Sequence, residues 1–168
     1  ICEEKLSNYP KAINHYKSLL QYYPAHLDSI RALKHLYYKI QSYDDILAVI
    51  DMEMPLVGQT EQIELLFEKS DIAKDRLQNF EKSIESLEKV LKLNANNARA
   101  YREIIDIHSQ RKEYDKWIDV LQRQIAISTE DKQKEIYLKC STLWQEKLQN
   151  DENAKSCLKE VLKLDNTC

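Results

Sequence analysis

The histidines and the adjacent carboxylates are the side chains of this 168-residue sequence whose types suit acid–base catalysis. Such catalysis needs a histidine and a carboxylate within hydrogen-bond reach, and no spacing motif joins them here. The carboxylate pairs instead precede predicted helices, where they satisfy free backbone N–H groups and the helix dipole. We therefore predict no catalytic site. The histidines are His15, His26, His35 and His108, and the carboxylate pairs are Asp44-Asp45 and Asp151-Glu152.

Cysteine and glycine usage argues against metal and nucleotide sites. Cys2, Cys140, Cys157 and Cys168 form no Cys-x-x-Cys pair and no cluster at zinc spacing. We expect free thiols in a reducing compartment, which favours the cytoplasm, with Cys140 and Cys157 buried. A disulfide between those two is the alternative. A single glycine excludes both G-x-x-x-x-G-K and G-x-G-x-x-G, so we expect no cofactor.

The composition favours an all-helical protein. Apolar residues make up 43% of the sequence, which is enough for a sizeable core. The sequence has one glycine and three prolines, whereas ordinary levels are about 7% and 5%. Sheets and phosphate loops depend on glycine wherever the backbone needs a positive φ. Helices joined by tight polar turns are therefore predicted.

Charge and hydropathy weigh against two classes of partner. The net charge is −3, from 25 basic and 28 acidic residues, whereas nucleic-acid binding needs a concentrated basic surface. No run of about 18 apolar residues is present, as a membrane-spanning helix would require. We expect no nucleic acid, membrane or small-molecule partner. The oligomeric state does not follow from the sequence.

A segment recurs three times at a constant offset of 71 residues. The copies are KAINHYKSLLQYYPAH at 11–26, KSIESLEKVLKLNANN at 82–97 and NAKSCLKEVLKLDNTC at 153–168. Between the copies, apolar character stays in phase without a gap. Repeats of fixed period predict units that bury their apolar faces against their neighbours. Because Ile1 begins partway into a predicted helix and no polar cap follows the last copy, we expect a longer natural array.

Apolar residues within each copy follow the period of an α-helix. Ile84, Leu87, Val90 and Leu91 mark one face of the second copy. The same pattern predicts ten helices in one domain, residues 1–168, with short connections that make consecutive helices antiparallel. The predicted helices span 1–6, 10–22, 26–40, 43–54, 60–77, 80–93, 97–111, 114–128, 132–148 and 151–164.

The repeat resembles the tetratricopeptide repeat family, whose pattern is W-x₂-L-G-x₂-Y…A-x₃-F…P. Ala12-x₃-Tyr16…Pro24 matches the second half of that pattern, and Tyr137-x₂-Cys140-Ser141-x₂-Trp144 is similar to the first half. The resemblance covers five motifs, the first incomplete, and implies an all-α solenoid of antiparallel helix pairs wound as a right-handed superhelix. The motif boundaries are about 1–26, 27–62, 63–97, 98–132 and 133–168.

Two tryptophans occupy family positions at which helices of a pair approach each other. Trp144 follows the small residue Ser141, and Trp117 replaces the small residue of its motif. We expect both indoles to be buried, and truncation of either to alanine to cost about 3–5 kcal/mol.

The resemblance also implies a binding surface, because the first helix of each pair lines a concave wall that receives a peptide or a partner helix. Arg31 and Arg102 are the preferred candidates, since both units keep arginine there and arginine is favoured at recognition surfaces. Clamping of a chaperone's C-terminal carboxylate is not expected, because the Lys/Asn/Arg set that the resemblance implies for it is broken here, and Glu68 and Glu103 would repel a carboxylate. The predicted wall comprises Arg31, His35, Tyr38, Lys39, Phe67, Glu68, Asp71, Lys74, Arg99, Arg102, Asp106, Ser109, Leu138, Lys139, Thr142 and Gln145.

A non-catalytic scaffold that binds a protein or peptide is the function favoured by these features. One alternative is an RNA-processing helical-repeat scaffold, which would need basic stripes and stacking aromatics. Another is the regulatory arm of an enzyme whose catalytic domain lies outside this chain.

Overall fold

The computed structural model describes residues 8–165, which fold into α-helices and short turns. The predicted helix 1–6 and two of the cysteines, Cys2 and Cys168, lie outside the described residues. Two compact units divide between Lys89 and Val90, and we call them unit 1 and unit 2. The helices are α1 (Tyr9–Tyr22), α2 (Leu27–Lys39), α3 (Tyr43–Glu53), α4 (Gln59–Asp71), α5 (Phe80–Leu93), α6 (Ala98–Gln110), α7 (Tyr114–Ile125), α8 (Glu130–Glu146) and α9 (Asp151–Asp165).

The helix predictions that fall on described residues are confirmed, and helices end just before the residues predicted to terminate them. Helix α1 stops at Tyr22, just before Pro24, which cannot continue a helix. Helix α5 stops at Leu93, before the asparagine-rich turn. The predicted helix 60–77 is not α-helical throughout. Its α-helical part ends at Asp71, and residues Ile72–Arg76 form a π-helical turn.

In unit 1 the first four helices pack in sequence order, α1 on α2, α2 on α3 and α3 on α4. The core is the apolar face that the helical period predicts, with Ile30, Leu36, Ile46 and Ile50 fully buried. Ile46 occupies a family position that usually holds alanine. These contacts between sequence neighbours are the packing pattern of a helical-repeat protein.

Unit 2 repeats this arrangement, with α6 on α7, α7 on α8 and α8 on α9. Its fully buried residues include Ile104, Ile107, Ile118 and Cys140. On α9, however, Leu162 remains 60% exposed. The described part of the chain is therefore an all-α assembly of sequence-adjacent helices. None of its helices is both long and apolar enough to cross a membrane.

The 71-residue register is visible in the turns that follow α2 and α6. The Ser42 N–H donates to the Tyr37 carbonyl at 3.0 Å, and the Glu113 N–H donates to the His108 carbonyl at 2.9 Å. These equivalent bonds span five residues and satisfy carbonyls at a helix end, as in a Schellman motif. The sequence repeat is thus also a repeat of backbone geometry.

The turns that follow α4 and α8 form a second, wider type. The Asn79 N–H donates to the Ala73 carbonyl at 2.7 Å, and the Asn150 N–H donates to the Trp144 carbonyl at 2.9 Å. Both asparagines then cap the next helix through Oδ1, at 2.9 and 3.0 Å from a backbone N–H three residues later. These two turn types alternate along the described helices, so the turn geometry repeats every 71 residues and not every half of that period.

All four of these turns pass through the left-handed region without glycine. The φ values are 57° at Gln41, 52° at Gln78, 58° at Lys112 and 51° at Gln149. These positions pair off at the same 71-residue offset. Glycine adopts this conformation freely, whereas a residue with a Cβ is strained there by about 1 kcal/mol or more. A chain that is poor in glycine therefore makes its tight turns at an energetic cost.

Glutamine side chains close two further turns in register. Gln62 Nε2 donates to two carbonyls of the turn before α4, at 3.0 and 3.2 Å, and Gln133 Nε2 donates to two carbonyls before α8, both at 3.0 Å. The side chains thus satisfy acceptors that have no helical partner. The acceptors are Met54 and Val57 for Gln62, and Ile125 and Ser128 for Gln133.

The prediction that both tryptophans are buried is wrong. Trp117 and Trp144 are each only partly buried. The Trp117 ring stacks on Tyr114 with centroids 6.5 Å apart, and Lys139 Nζ lies 5.1 Å from the Trp117 ring centroid. The indole Nε1 of Trp117 is buried, but the side chain as a whole remains partly exposed. We therefore expect truncation to cost less than 3–5 kcal/mol.

Candidate functional site

A cavity of about 330 Å³ opens in unit 2 between α6, α7 and α8. We call it the unit 2 cavity. Ile105, Leu121 and Ile136 are buried and give it an apolar floor. Charged side chains surround this floor, which is the usual combination in a binding pocket. The lining residues are Ala98, Arg102, Ile105, Asp106, Leu121, Gln124, Lys132, Glu135, Ile136 and Lys139.

Three residues of the predicted wall, Arg102, Asp106 and Lys139, come together at the unit 2 cavity. All three side chains are exposed. Neither Arg102 nor Lys139 forms an ion pair within residues 8–165, whereas Lys132 Nζ pairs with Glu135 Oε2 at 3.1 Å. The cavity therefore presents cations that the described chain leaves without an acidic partner.

The equivalent place in unit 1 is filled by an ion network. Arg31 Nε donates to Glu53 Oε1 at 2.7 Å, and Arg31 Nη2 pairs with Glu61. Lys34 Nζ lies 2.8 Å from Glu53 Oε2 and 3.2 Å from Glu68 Oε2. In unit 1 the chain itself thus supplies carboxylates to the predicted binding arginine.

Glu53 is the buried centre of that network, with a side chain only 2% exposed. Burial by itself would raise the pKa of this carboxyl. Hydrogen bonds from Lys34 and Arg31, together with their charges, outweigh burial, so the pKa of Glu53 is lowered below its usual value. The carboxylate is therefore ionised at neutral pH and paired with two cations.

The positions of this network carry different charges in unit 2. At the five compared positions, unit 1 has two cations and three acids, whereas unit 2 has three cations and no acid, so the net charge changes from −1 to +3. Asp106 and Glu135 add two negative charges to the unit 2 cavity beyond those positions. In the register, Arg31 corresponds to Arg102, Lys34 to Ile105, Glu53 to Gln124, Glu61 to Lys132 and Glu68 to Lys139.

One residue of the predicted wall is placed wrongly. Phe67 is only 3% exposed, so its ring belongs to the interior and cannot meet a ligand from the surface. The family position predicts a solvent-facing ring on α4, whereas Phe67 is buried within unit 1. The π-helical turn that follows α4 begins at Ile72, which is also buried.

The other predicted wall residues lie on accessible surface, several of them already in internal contacts. The Tyr38 hydroxyl donates to Glu68 Oε1 at 2.7 Å. The pKa of Tyr38 is raised, chiefly by burial and to a smaller extent by this hydrogen bond. Arg99 Nε donates to Glu103 Oε1 at 2.7 Å, which neutralises that glutamate. Remaining members are partly or largely exposed: His35, Lys39, Asp71, Lys74, Ser109, Leu138, Thr142 and Gln145.

Several side chains whose types suit chemistry are packed in the interior or lie at helix starts. His108 is 5% exposed and its Nδ1 lies 2.8 Å from Glu113 Oε2, so its ring is packed in the interior of unit 2. Cys140 and Cys157 are buried free thiols, as expected. The pKa of Cys140 is raised to about 12, mainly by burial and to a smaller extent by the charge of nearby Cys157. This thiol is therefore not an activated nucleophile. The paired carboxylates lie in the first turns of α3 and α9.

Sequence reasoning missed Lys132, Gln124 and Glu135, which come from α7 and the start of α8. The family resemblance predicts wall residues on the first helix of each pair, which leaves out Gln124 on α7, whereas Lys132 and Glu135 lie on a first helix, α8, ahead of the predicted Leu138 and Lys139. A signal was present, because reading charge along the 71-residue register shows acids at 53, 61 and 68 replaced by uncharged or basic residues.

Two segments of the chain, residues 63–97 and 145–168, match the tetratricopeptide repeat family. The first segment has the boundaries predicted for the third motif. This match confirms the resemblance inferred from the sequence. No curated protein matches the chain.

Solved structures with similar helical folds include proteins described as tetratricopeptide-repeat proteins. MamA is 20% identical with a TM-score of 0.48, covering 95% of this chain and 90% of that chain. YrrB, described as a TPR protein with an unusual peptide-binding site, is 12% identical with a TM-score of 0.48, covering 95% and 79%. MamA from Desulfovibrio magneticus RS-1 is 13% identical with a TM-score of 0.46, covering 96% and 88%.

Proposed function

We propose that this chain, which contains tetratricopeptide repeats at residues 63–97 and 145–168, is a non-catalytic scaffold that binds a partner protein through the unit 2 cavity. Arg102 carries the proposal. It lines an open cavity without an ion pair among the described residues, whereas its register equivalent, Arg31, is neutralised by Glu53 and Glu61. A cation that the chain leaves unpaired beside an apolar floor suits a ligand supplied by another molecule.

The surroundings of the cavity favour a polypeptide as the ligand. A volume of about 330 Å³ accommodates one or two side chains. Leu138, on α8, is 47% exposed and offers apolar surface outside the cavity. Helices commonly bind such segments by seating apolar side chains in pockets between them. Asp106 and Glu135 disfavour the polyanionic backbone of RNA.

A charge-reversal pair tests this function. The protein with Arg102→Glu and Lys139→Glu is compared with a matched control, Lys155→Glu and Lys159→Glu, which makes the same change on exposed positions of α9 outside the cavity. Partners are recovered by pull-down, and hydrogen exchange maps the protected helices. We expect the cavity variant to lose the partner, the control to retain it, and protection to fall on α6 and α8.

Equal recovery by the wild type and the cavity variant, with protection elsewhere, would overturn the assignment of the site. Salt-sensitive, sub-micromolar RNA binding that the cavity variant abolishes would favour the RNA scaffold instead. Circular dichroism of each variant shows that loss of binding is not loss of folding.

A further inference from the structure

We infer that the unit 2 cavity recognises an acidic side chain within a partner polypeptide, flanked by aliphatic residues. The inference rests on the proposed function and specifies its ligand. It follows from unit 1, where the chain's own glutamates occupy the equivalent place and show which chemistry that place accepts.

In unit 1, Arg31 on α2 pairs with two carboxylates that come from different helices. Glu53, at the end of α3, binds Nε of Arg31 at 2.7 Å, and Glu61, on α4, pairs with Nη2 of the same guanidinium. Guanidinium groups prefer this arrangement, because several donors of one planar fork are satisfied at once. Unit 1 is thus an occupied form of the site, with the ligand supplied by the same chain.

In unit 2 the arginine remains but both carboxylates are missing. Gln124 replaces Glu53, and Lys132 replaces Glu61. Arg102 consequently has no ion pair among the described residues, although it lines a cavity of about 330 Å³. A carboxylate from another molecule would restore the arrangement seen around Arg31.

The floor of the cavity specifies what flanks the acid. Ile105 replaces Lys34, whose ammonium group in unit 1 contacts Glu53 and Glu68. Together with Leu121 and Ile136, Ile105 leaves an apolar surface directly beside Arg102. Leu, Ile or Val next to the acidic residue would bury its side chain there.

The remaining charges limit the number of acids. Lys132 pairs with Glu135, so Arg102 and Lys139 are the cavity cations without an acidic partner among the described residues, although Lys139 also lies over the Trp117 ring. Asp106 lines the same cavity and repels a second carboxylate. The cavity therefore suits a single acid within an aliphatic segment rather than an acidic run.

The test transfers the acids of unit 1 into unit 2. The variant Gln124→Glu with Lys132→Glu places carboxylates at the positions of Glu53 and Glu61, so that Arg102 is paired within the chain. The matched control, Gln124→Met with Lys132→Gln, removes the same lysine without adding an acid. Both changed positions are surface-accessible, and unit 1 already tolerates glutamate at the equivalent sites.

The probe is a library of 12-residue peptides displayed through their C-termini, which excludes free terminal carboxylates. We expect the full chain to select peptides with one Asp or Glu beside Leu, Ile or Val. A selected peptide, made with an amidated C-terminus, should lose about tenfold to hundredfold in affinity when its acid is changed to the amide. The acid-transfer variant should lose a similar factor, and the control variant less than about threefold. Raising salt should weaken the acidic peptide more than its amide analogue.

The outcomes separate the inference from the function on which it rests. Selected peptides that protect α6 and α8 but bind equally as amides would overturn acidic recognition and leave the scaffold function standing. A selected neutral peptide that binds tightly only when it is made again with a free C-terminal carboxylate would show recognition of a chain end and also overturn the inference. Failure to select any peptide, together with no partner lost by the Arg102→Glu, Lys139→Glu variant, would overturn the proposed function itself.

Discussion

Glu53, at the end of α3, lies 2.7 Å from the Nε of Arg31 on α2, although 22 residues separate them in sequence. The glutamate is buried, while Arg31 is 43% exposed. One side chain therefore joins the interior of unit 1 to the surface predicted to bind a partner. In unit 2 the equivalent residues, Gln124 and Arg102, cannot form an ion pair, because Gln124 carries no charge. The chain therefore supplies a carboxylate to Arg31 but not, among the described residues, to Arg102.

Removing the buried acid should destabilise the protein. Glu53→Ala leaves Lys34 and Arg31 without their shared partner, but both retain a second carboxylate, Glu68 and Glu61. We expect a loss of about 2–3 kcal/mol in the free energy of unfolding by urea denaturation. The comparison is Glu61→Ala, a largely exposed partner that should cost less than about 1 kcal/mol. Similar losses for the two variants would show that burial does not set the strength of the network.

The contribution of Glu53 should depend on pH in a defined direction. Its pKa is lowered in the folded state, so the folded protein binds fewer protons there than the unfolded chain. This stabilisation is present above the unfolded-state pKa, about 4.5, and is lost as the pH falls through the lower folded-state pKa. The measurement is the stability difference between wild type and Glu53→Gln at pH 7 and at several values below 5. Effects of other carboxylates cancel in that difference, which should shrink with acidification. A difference that grows instead would contradict the sign.

Glycine at the left-handed turn positions should stabilise the protein. Gln41→Gly and Lys112→Gly each remove the Cβ that is strained at a positive φ, which is 57° at residue 41 and 58° at residue 112. After allowance for the greater freedom of glycine in the unfolded chain, we expect a gain of about 0.5–1 kcal/mol in each case. The control is Gln122→Gly on the exposed face of α7, which should cost about 1 kcal/mol. Thermal melts of the three variants give the result. Destabilisation at Gln41 would mean that its side chain makes a contact worth more than the strain.

The glutamines that close equivalent turns should have equivalent effects. Gln62→Ala and Gln133→Ala each free two turn carbonyls, and the four bonds lie between 3.0 and 3.2 Å. Each substitution should cost about 1–2 kcal/mol. Gln122→Ala, at an exposed position, should stay within about 0.5 kcal/mol of the wild type. Urea denaturation followed by circular dichroism measures all three. A large loss of stability for one of the two glutamine variants and none for the other would show that turns with the same geometry contribute differently to the stability of the two units.

Much of the candidate site could be foreseen and part could not. Arg102, Asp106 and Lys139 were placed together by family position, because a regular helix presents the same face wherever it occurs. Phe67 was misplaced by the same reasoning, since whether a helix face meets solvent or another helix depends on the packing around it. The role of Gln124 was missed because it lies on α7, a second helix of its pair, and the role of Lys132 because it lies near the start of α8, ahead of the predicted wall residues. Both reach the cavity only when α6, α7 and α8 pack.

By itself, the sequence determined the helices, their ends and the 71-residue period. Apolar periodicity, proline and capping residues act over a few neighbouring positions, and these are the interactions that a linear chain displays directly. Only the tertiary structure decided that Arg31 is neutralised and that Arg102 is not. Ion pairing depends on distances of a few ångströms between residues far apart in the chain, and those distances exist only after the helices pack.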